Sequence, residues 1–401
     1  MRLLLCLGLA LAVVGCAPPA LTELPPEEPL PETEQLLIVY ALGDRELSPH
    51  LRRSRDLLLT GGEVPPGLEI LLFSEIDGER ELWGRSQKSR TALTTEEIGL
   101  PEAPGSSEET LKSLLSYARG IYPEAETHLL ISGSSGFDEN LSVAGTDSGV
   151  LEVGEVARAA LGPGDPWLTS IVLESSYGGS MSVLFELRQS ARYLLSSPGP
   201  VELDGLSVGE LFRRLNNGEG VEYSLMKALE KSHELIPGAS FALFDLSLVD
   251  EVSAALEEAL LLLEGELIDG AGDRVTLRDL LFEPTPYDRS TGPFFLSLSA
   301  LAAKLAAHYP GLPVDSFQEE AERLLLESWS QNDKFVSPVL YFVSLDEEGA
   351  AAGHAGCYLP ERPGGGAVTF ARSTVWAPRL IEKRGILYLL WYDLLPPGGA
   401  S

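Results

Sequence analysis

The chain has 401 residues and a formal charge of −31 at pH 7, from 60 acidic and 29 basic side chains. So acidic a surface repels polyanions, which argues against nucleic acid as a ligand and gives the folded body no attraction to anionic lipid headgroups. Only three cysteines are present, which leaves no disulfide framework and no multi-cysteine zinc site, while an apolar content of 44% is enough to bury a large core.

Residues 1–16 come first in chain order. Arg2 precedes an unbroken apolar run over 3–14, and Val13-Val14-Gly15-Cys16 has the form of a bacterial lipobox. The run is shorter than the roughly 20 residues that span a bilayer, but it suits a signal-peptide core. The expectation is a lipoprotein whose mature chain begins at a diacylated Cys16. It would be held to a lipid bilayer through that residue, in the bacterial cell envelope outside the cytoplasm. Removal of Cys6 with the signal leaves only Cys16 and Cys357, so no intramolecular disulfide is expected. Residues 17–35 form a Pro/Glu-rich linker without an apolar period, in which proline stiffens and like charges extend the chain.

From residue 36 short apolar runs alternate with helical patterns. Residues 36–41, 68–76, 127–132 and 168–174 read as buried strands. Ser48-Pro49 offers a cap and a first-turn proline to a helix through Leu59. Ser106 with Glu109 forms a capping-box pattern ahead of Leu111, Leu114, Leu115 and Ala118, and 153–161 reads as a further helix. Strands alternating with helices predict an α/β fold with a mostly parallel sheet covered on both faces, where ligands bind beyond the carboxyl ends of the strands. Two such ends matter most, 132–136 and 174–179. They supply the candidate ligand crevice of Ser132, Ser135, Ser175 and Tyr177.

The second half is less regular. Ser247 and Asp250 are expected to cap a helix carrying Val249, Val252, Leu256, Leu260 and Leu263, a core-facing stripe. Asp269-Gly270 and Gly272-Asp273 mark turns, 298–308 and 317–329 look helical, and 338–345 returns to strand character.

Several segments, taken in order, resemble the clostripain family of cysteine peptidases. LLIVYALGDREL (36–47) and ILLFSEIDGERELW (70–83) are similar to its first two strands. SSEETLKSLLSYARGIYPEAETHLLISGSSGF (106–137) is similar to the stretch leading into its catalytic His-Gly loop. SIVLESSYGGSMSVLFELR (170–188) is similar to the strand that ends in Asp-Ala-Cys and the helix after it. SFALFDLSLVDEVSAALEEAL (240–260), AGCYLP (355–360) and FARSTVW (370–376) resemble later family segments. The resemblance implies a caspase-like, parallel-rich sheet with helices on both faces over 36–215. It also implies a C-terminal α/β portion of the same unit over 216–401.

The resemblance aligns the family's dyad histidine with Gly133 and its nucleophilic cysteine with Ser176. A thiolate attacks the carbonyl in that chemistry, with an imidazole to lower its pKa and protonate the leaving amine. Glycine supplies no base, and a serine needs one. His128 begins its strand about 16 Å from position 133 and is too far to substitute. His50 follows the first strand by a short loop and is the remaining alternative base. His354 lies three residues from Cys357, and the two point to opposite faces of a strand, so Cys357 reads as a packed core thiol. His233 and His308 lie in helical segments without metal-ligand spacing, and neither a metal nor a cofactor is expected. Asp77, Glu79, Glu81, Asp147 and Glu155 are acidic candidates for a basic-residue pocket, though at this net charge most of them are expected to be solvated surface.

The leading reading is a clostripain-like lipoprotein that retains the fold as a non-catalytic binding or scaffolding module, with a protein or peptide as its ligand. The alternative is a divergent peptidase or hydrolase using Ser176 or Ser175 with a base such as His50. A solute-binding lipoprotein also fits the anchor and linker, but not the later family-like segments.

Overall fold

A computed structural model describes residues 33–45, 47–133, 142–161, 167–175, 178–198, 206–236, 239–256, 258–259 and 314–330, and parts of 302–311. For 294–297, 339–343 and 357–358 it describes the backbone alone. The anchor residues, linker residues 17–32, Ser135, Ser176, Tyr177, His308, His354, the two turns over 269–273 and the side chain of Cys357 lie outside the described residues, and Gln35, expected in the linker, already belongs to the first strand. The described residues all lie in one compact unit, which begins at Thr33.

Its centre is strand β1 (Gln35–Gly43), whose last eight residues are all buried. The run is apolar on both faces because helices cover both, which is the pattern of a central parallel strand. β1 pairs in parallel with β2 (Leu68–Ile76) on one side and β5 (Glu126–Gly133) on the other. β5 is followed outward by β8 (Leu168–Glu174) and β9 (Ala191–Ser196), again parallel. Antiparallel strands extend both edges. β3 (Glu79–Arg85) and β4 (Arg90–Ala92) continue from β2, and β10 (Ser240–Asp245) and β12 (Leu325–Ser330) continue from β9. The nine strands lie in the order β12-β10-β9-β8-β5-β1-β2-β3-β4. A separate hairpin of β6 (Ser142–Thr146) and β7 (Gly149–Glu152) rests on β1 and β5. β11 (Phe294–Ser297), β13 (Val339–Val343) and β14 (Cys357–Tyr358) form a small third sheet. The α/β, parallel-rich architecture predicted from the sequence is the architecture observed.

Side chains alternate along each strand, so two cores form. Leu36, Ile38, Tyr40, Phe73, Leu129, Ile131, Ile171 and Leu173 pack beneath α3 (Glu108–Ile121), α4 (Val153–Ala160) and α5 (Met181–Leu187). Leu37, Val39, Leu72, Leu130, Val172 and Phe241 pack beneath α1 (Ser48–Thr60), α6 (Val208–Leu215) and α7 (Val221–His233).

The details differ from expectation in four places. The cap of α3 is Ser107, whose side chain accepts from the Thr110 N–H, rather than Ser106. Ser48 does not cap α1. Its hydroxyl donates instead to Asp77 Oδ1 at 2.6 Å, and Leu47 begins the helix without a side-chain cap. Asp245, not Ser247 or Asp250, accepts the first turn's N–H, from Ser247 at 3.0 Å, and the helix over 249–256 follows with Val249, Val252 and Leu256 buried. Finally, the helix expected over 317–329 runs from Val314 to Leu324 and stops there. The next six residues become β12 because the open edge of β10 offers hydrogen bonds, a tertiary demand that overrides local periodicity.

Candidate functional site

The chain leaves β1 for β2 on one side and returns to β5 on the other, so the strand order reverses between β1 and β5. A sheet of this kind offers its ligand crevice at that reversal, beyond the carboxyl ends. In register there are Leu42 of β1, Gly133 of β5 and, one residue earlier on β5, Ser132 opposite Glu174 of β8. The two strand ends that the sequence singled out, at Ser132 and Glu174, are therefore side by side.

Ser132 Oγ donates to Glu174 Oε2 at 2.5 Å, and both residues are buried, 5% and 1% exposed. The Ser132 hydroxyl, expected as a ligand donor, is thus already engaged within the protein. Ser175 is buried as well. After Ser175 and the two undescribed residues, Gly178 lies so close to the end of β9 that a Cβ on it would strike Ser196 Oγ. The Gly179 N–H donates to the Ser197 carbonyl at 2.9 Å, and Ser196 Oγ returns a hydrogen bond to the Leu173 carbonyl at 3.0 Å. The glycine pair thereby lets the segment after β8 seat directly on β9 before Ser180 caps α5.

Gly133 has even less room. A Cβ on it would collide with the Leu42 carbonyl oxygen and stand 2.9 Å from the Ala144 Cβ of β6. Real Cβ atoms do not approach that closely, so this backbone accepts glycine alone.

Three of the five histidines are among the described residues. His128 is near the amino end of β5, 1% exposed, with Nδ1 2.9 Å from Ser170 Oγ and 3.4 Å from Glu222 Oε1. Burial holds its pKa down at about 4, so the ring is neutral near pH 7. His233 is buried in the last turn of α7, with Nδ1 2.9 Å from the Leu229 carbonyl and its ring edge-on to Phe241. His50 is half-buried in the first turn of α1, which follows the β1 loop.

The five acidic candidates are held by the protein's own groups. Asp77 accepts from Ser48 Oγ, from the Arg45 N–H at 2.9 Å and from Arg52 at 3.3 Å. The Ser48 hydroxyl first, then the Arg45 N–H, keep its carboxyl below the usual range. Glu79 pairs with Arg52 at 3.0 Å and Glu81 with Arg55 at 2.9 Å, while Asp147 pairs with Arg45 at 3.2 Å. Glu155 accepts the Glu152 N–H at 2.9 Å at the start of α4. These contacts join α1, β3 and the loops after β1 and β2 to one another, and the β6–β7 turn to the loop after β1. Sequence spacing could not reveal them, since the partners are 25 to 102 residues apart where they cross between elements. No group of three or more metal-ligating side chains occurs among the described residues.

No protein-family model matches the sequence, and no curated protein matches it. Solved structures do match the fold. An inactive zymogen C11 protease from Parabacteroides distasonis is similar with a TM-score of 0.61 at 13% identity, covering 87% of this chain and 99% of its own. A secreted C11 cysteine protease from Bacteroides thetaiotaomicron, in complex with an irreversible peptide inhibitor, is similar at 0.60 and 12%, covering 86% and 97%. The B. thetaiotaomicron protease called iotapain is similar at 0.59 and 15%, covering 87% and 99%. The fold is that of the C11, clostripain-type, cysteine proteases.

Proposed function

We propose that this protein is a clostripain-like lipoprotein of the bacterial cell envelope. In this reading the peptidase dyad is replaced by Gly133 and Ser176, and the fold serves as a binding or scaffolding module outside the cytoplasm. The observation that carries the reading is Gly133. It ends β5 at the strand-order reversal, has no side chain to act as base, and has no room for one. The placement of His128 near the other end of β5 agrees with it. So do Asp77, Glu79, Glu81, Asp147 and Glu155, each of which has a partner within the protein. The lipobox ending at Cys16 supports an acyl anchor, and the Pro/Glu linker a spacer between membrane and body.

Two labelling experiments test the two halves. A serine-reactive fluorophosphonate should leave the folded protein unlabelled. Labelling that is lost in Ser176→Ala and in His50→Ala would establish the divergent hydrolase instead. Cells fed an alkynyl palmitate should yield labelled protein in the membrane fraction, and Cys16→Ser should abolish the label. Unlabelled membrane-bound protein would contradict the anchor.

A further inference from the structure

We infer that the β6–β7 hairpin is a fixed internal cover over the crevice between β1 and β5, closing the space that a side chain at position 133 would need. The functional consequence rests on reading 133 as the replaced imidazole position; the packing itself does not.

The hairpin lies across the carboxyl ends of β1 and β5, where the strand order reverses. Its Ala144 is fully buried and stands over Gly133, while Val143 and Leu151 join the core beneath α3 and α4. Its turn is tied to the loop after β1 twice. The Asp147 N–H donates to Asp44 Oδ2, and Arg45 pairs with Asp147 at 3.2 Å. Arg45 adopts a left-handed backbone, φ 51°, to make this contact and to present its N–H to Asp77. A non-glycine residue held there costs free energy, and it persists because the surrounding contacts fix it. On its other side, Gly149 packs so closely on Ser106 that a Cβ would come to 3.0 Å from the Ser106 Oγ. The hairpin is therefore fastened at its turn, buried along β6 and fitted against the segment before α3. Reintroducing an imidazole at 133 would have to displace this cover and the backbone of Leu42, so the lost base cannot be restored by one substitution.

Two measurements on the full chain test the cover. In thermal unfolding, Gly133→Ala should lower the midpoint by roughly 5 °C or more. Ala144→Gly should lower it in the parent and lower it clearly less in the Gly133→Ala background, because there it also removes the closest side-chain contact, although the Leu42 carbonyl remains. A midpoint within about 1 °C of the parent for Gly133→Ala, or the same effect of Ala144→Gly in both backgrounds, would overturn the inference. If Gly133→Ala does not fold, hydrogen exchange on the unmodified chain decides. Amides buried in 142–146 should exchange at least roughly 100-fold slower than unprotected ones, and rates within tenfold of unprotected would mean an open hairpin. Peptide cleavage by the unmodified chain would contradict the non-catalytic reading without altering either result.

Discussion

Ser132 Oγ donates to Glu174 Oε2 at 2.5 Å, joining the carboxyl ends of β5 and β8 inside the protein. A buried carboxyl group that loses a donor bears its desolvation cost uncompensated, about 1–3 kcal/mol. Ser132→Ala should therefore destabilise the fold by about 2 kcal/mol, read as a lower urea midpoint with an unchanged slope. Ser132→Thr, which keeps the hydroxyl, should recover part of the loss.

His128 makes stability depend on pH. Its folded pKa of about 4 lies below the ordinary 6.5, so the unfolded chain binds more protons between these values. Stability should rise as pH goes from about 4 to 6.5 and level off above. At most the effect is on the order of 3 kcal/mol. Burial of Glu222, 3.4 Å away, raises its carboxyl pKa and acts in the opposite sense on part of this range. Nearby Glu126 and Arg192 shift Glu222 in opposite directions. Comparing the parent with His128→Gln isolates the histidine. The variant's urea midpoint should gain on the parent's as pH falls from 7 to 5, and a parallel pH profile would contradict the assignment.

Arg85 is 8% exposed and donates Nη1 to the Leu58 carbonyl and Nη2 to the Gly62 carbonyl at 2.6 Å, beneath the Phe212 ring. It serves as the carboxyl-terminal cap of α1, where a cation meets the negative end of the helix. Burial lowers its pKa, an effect reinforced by Arg90. Arg85→Met should cost about 2–3 kcal/mol in denaturant unfolding, because two carbonyls lose their donors. Arg85→Lys should recover little, since one ammonium does not reproduce the planar fork.

The central strands were legible because a strand covered on both faces carries a continuous apolar run, as in LLIVYA and the IVL of LTSIVLE. The positions of Gly133 and Ser175 at strand ends followed from the same runs. The hairpin of SVAGT and GVLE was not legible. Its small residues carry no period, and its place is set by contacts with Leu42 and Gly133 that only the folded sheet creates. Likewise LLESWS continues a helical pattern and becomes a strand only because β10 has a free edge. Asp77, Glu79, Glu81 and Asp147 looked available in sequence because Arg45, Arg52 and Arg55, which occupy them, are remote along the chain.

Peptide cleavage, or its lack, decides between a binding module and a divergent hydrolase. The most direct measurement is incubation of the purified full chain, and of Ser176→Ala beside it, with a diverse peptide library read by mass spectrometry. The account predicts the same uncleaved library from both proteins. Cleavage by the unmodified chain that disappears in Ser176→Ala would contradict it and make His50 the next residue to replace.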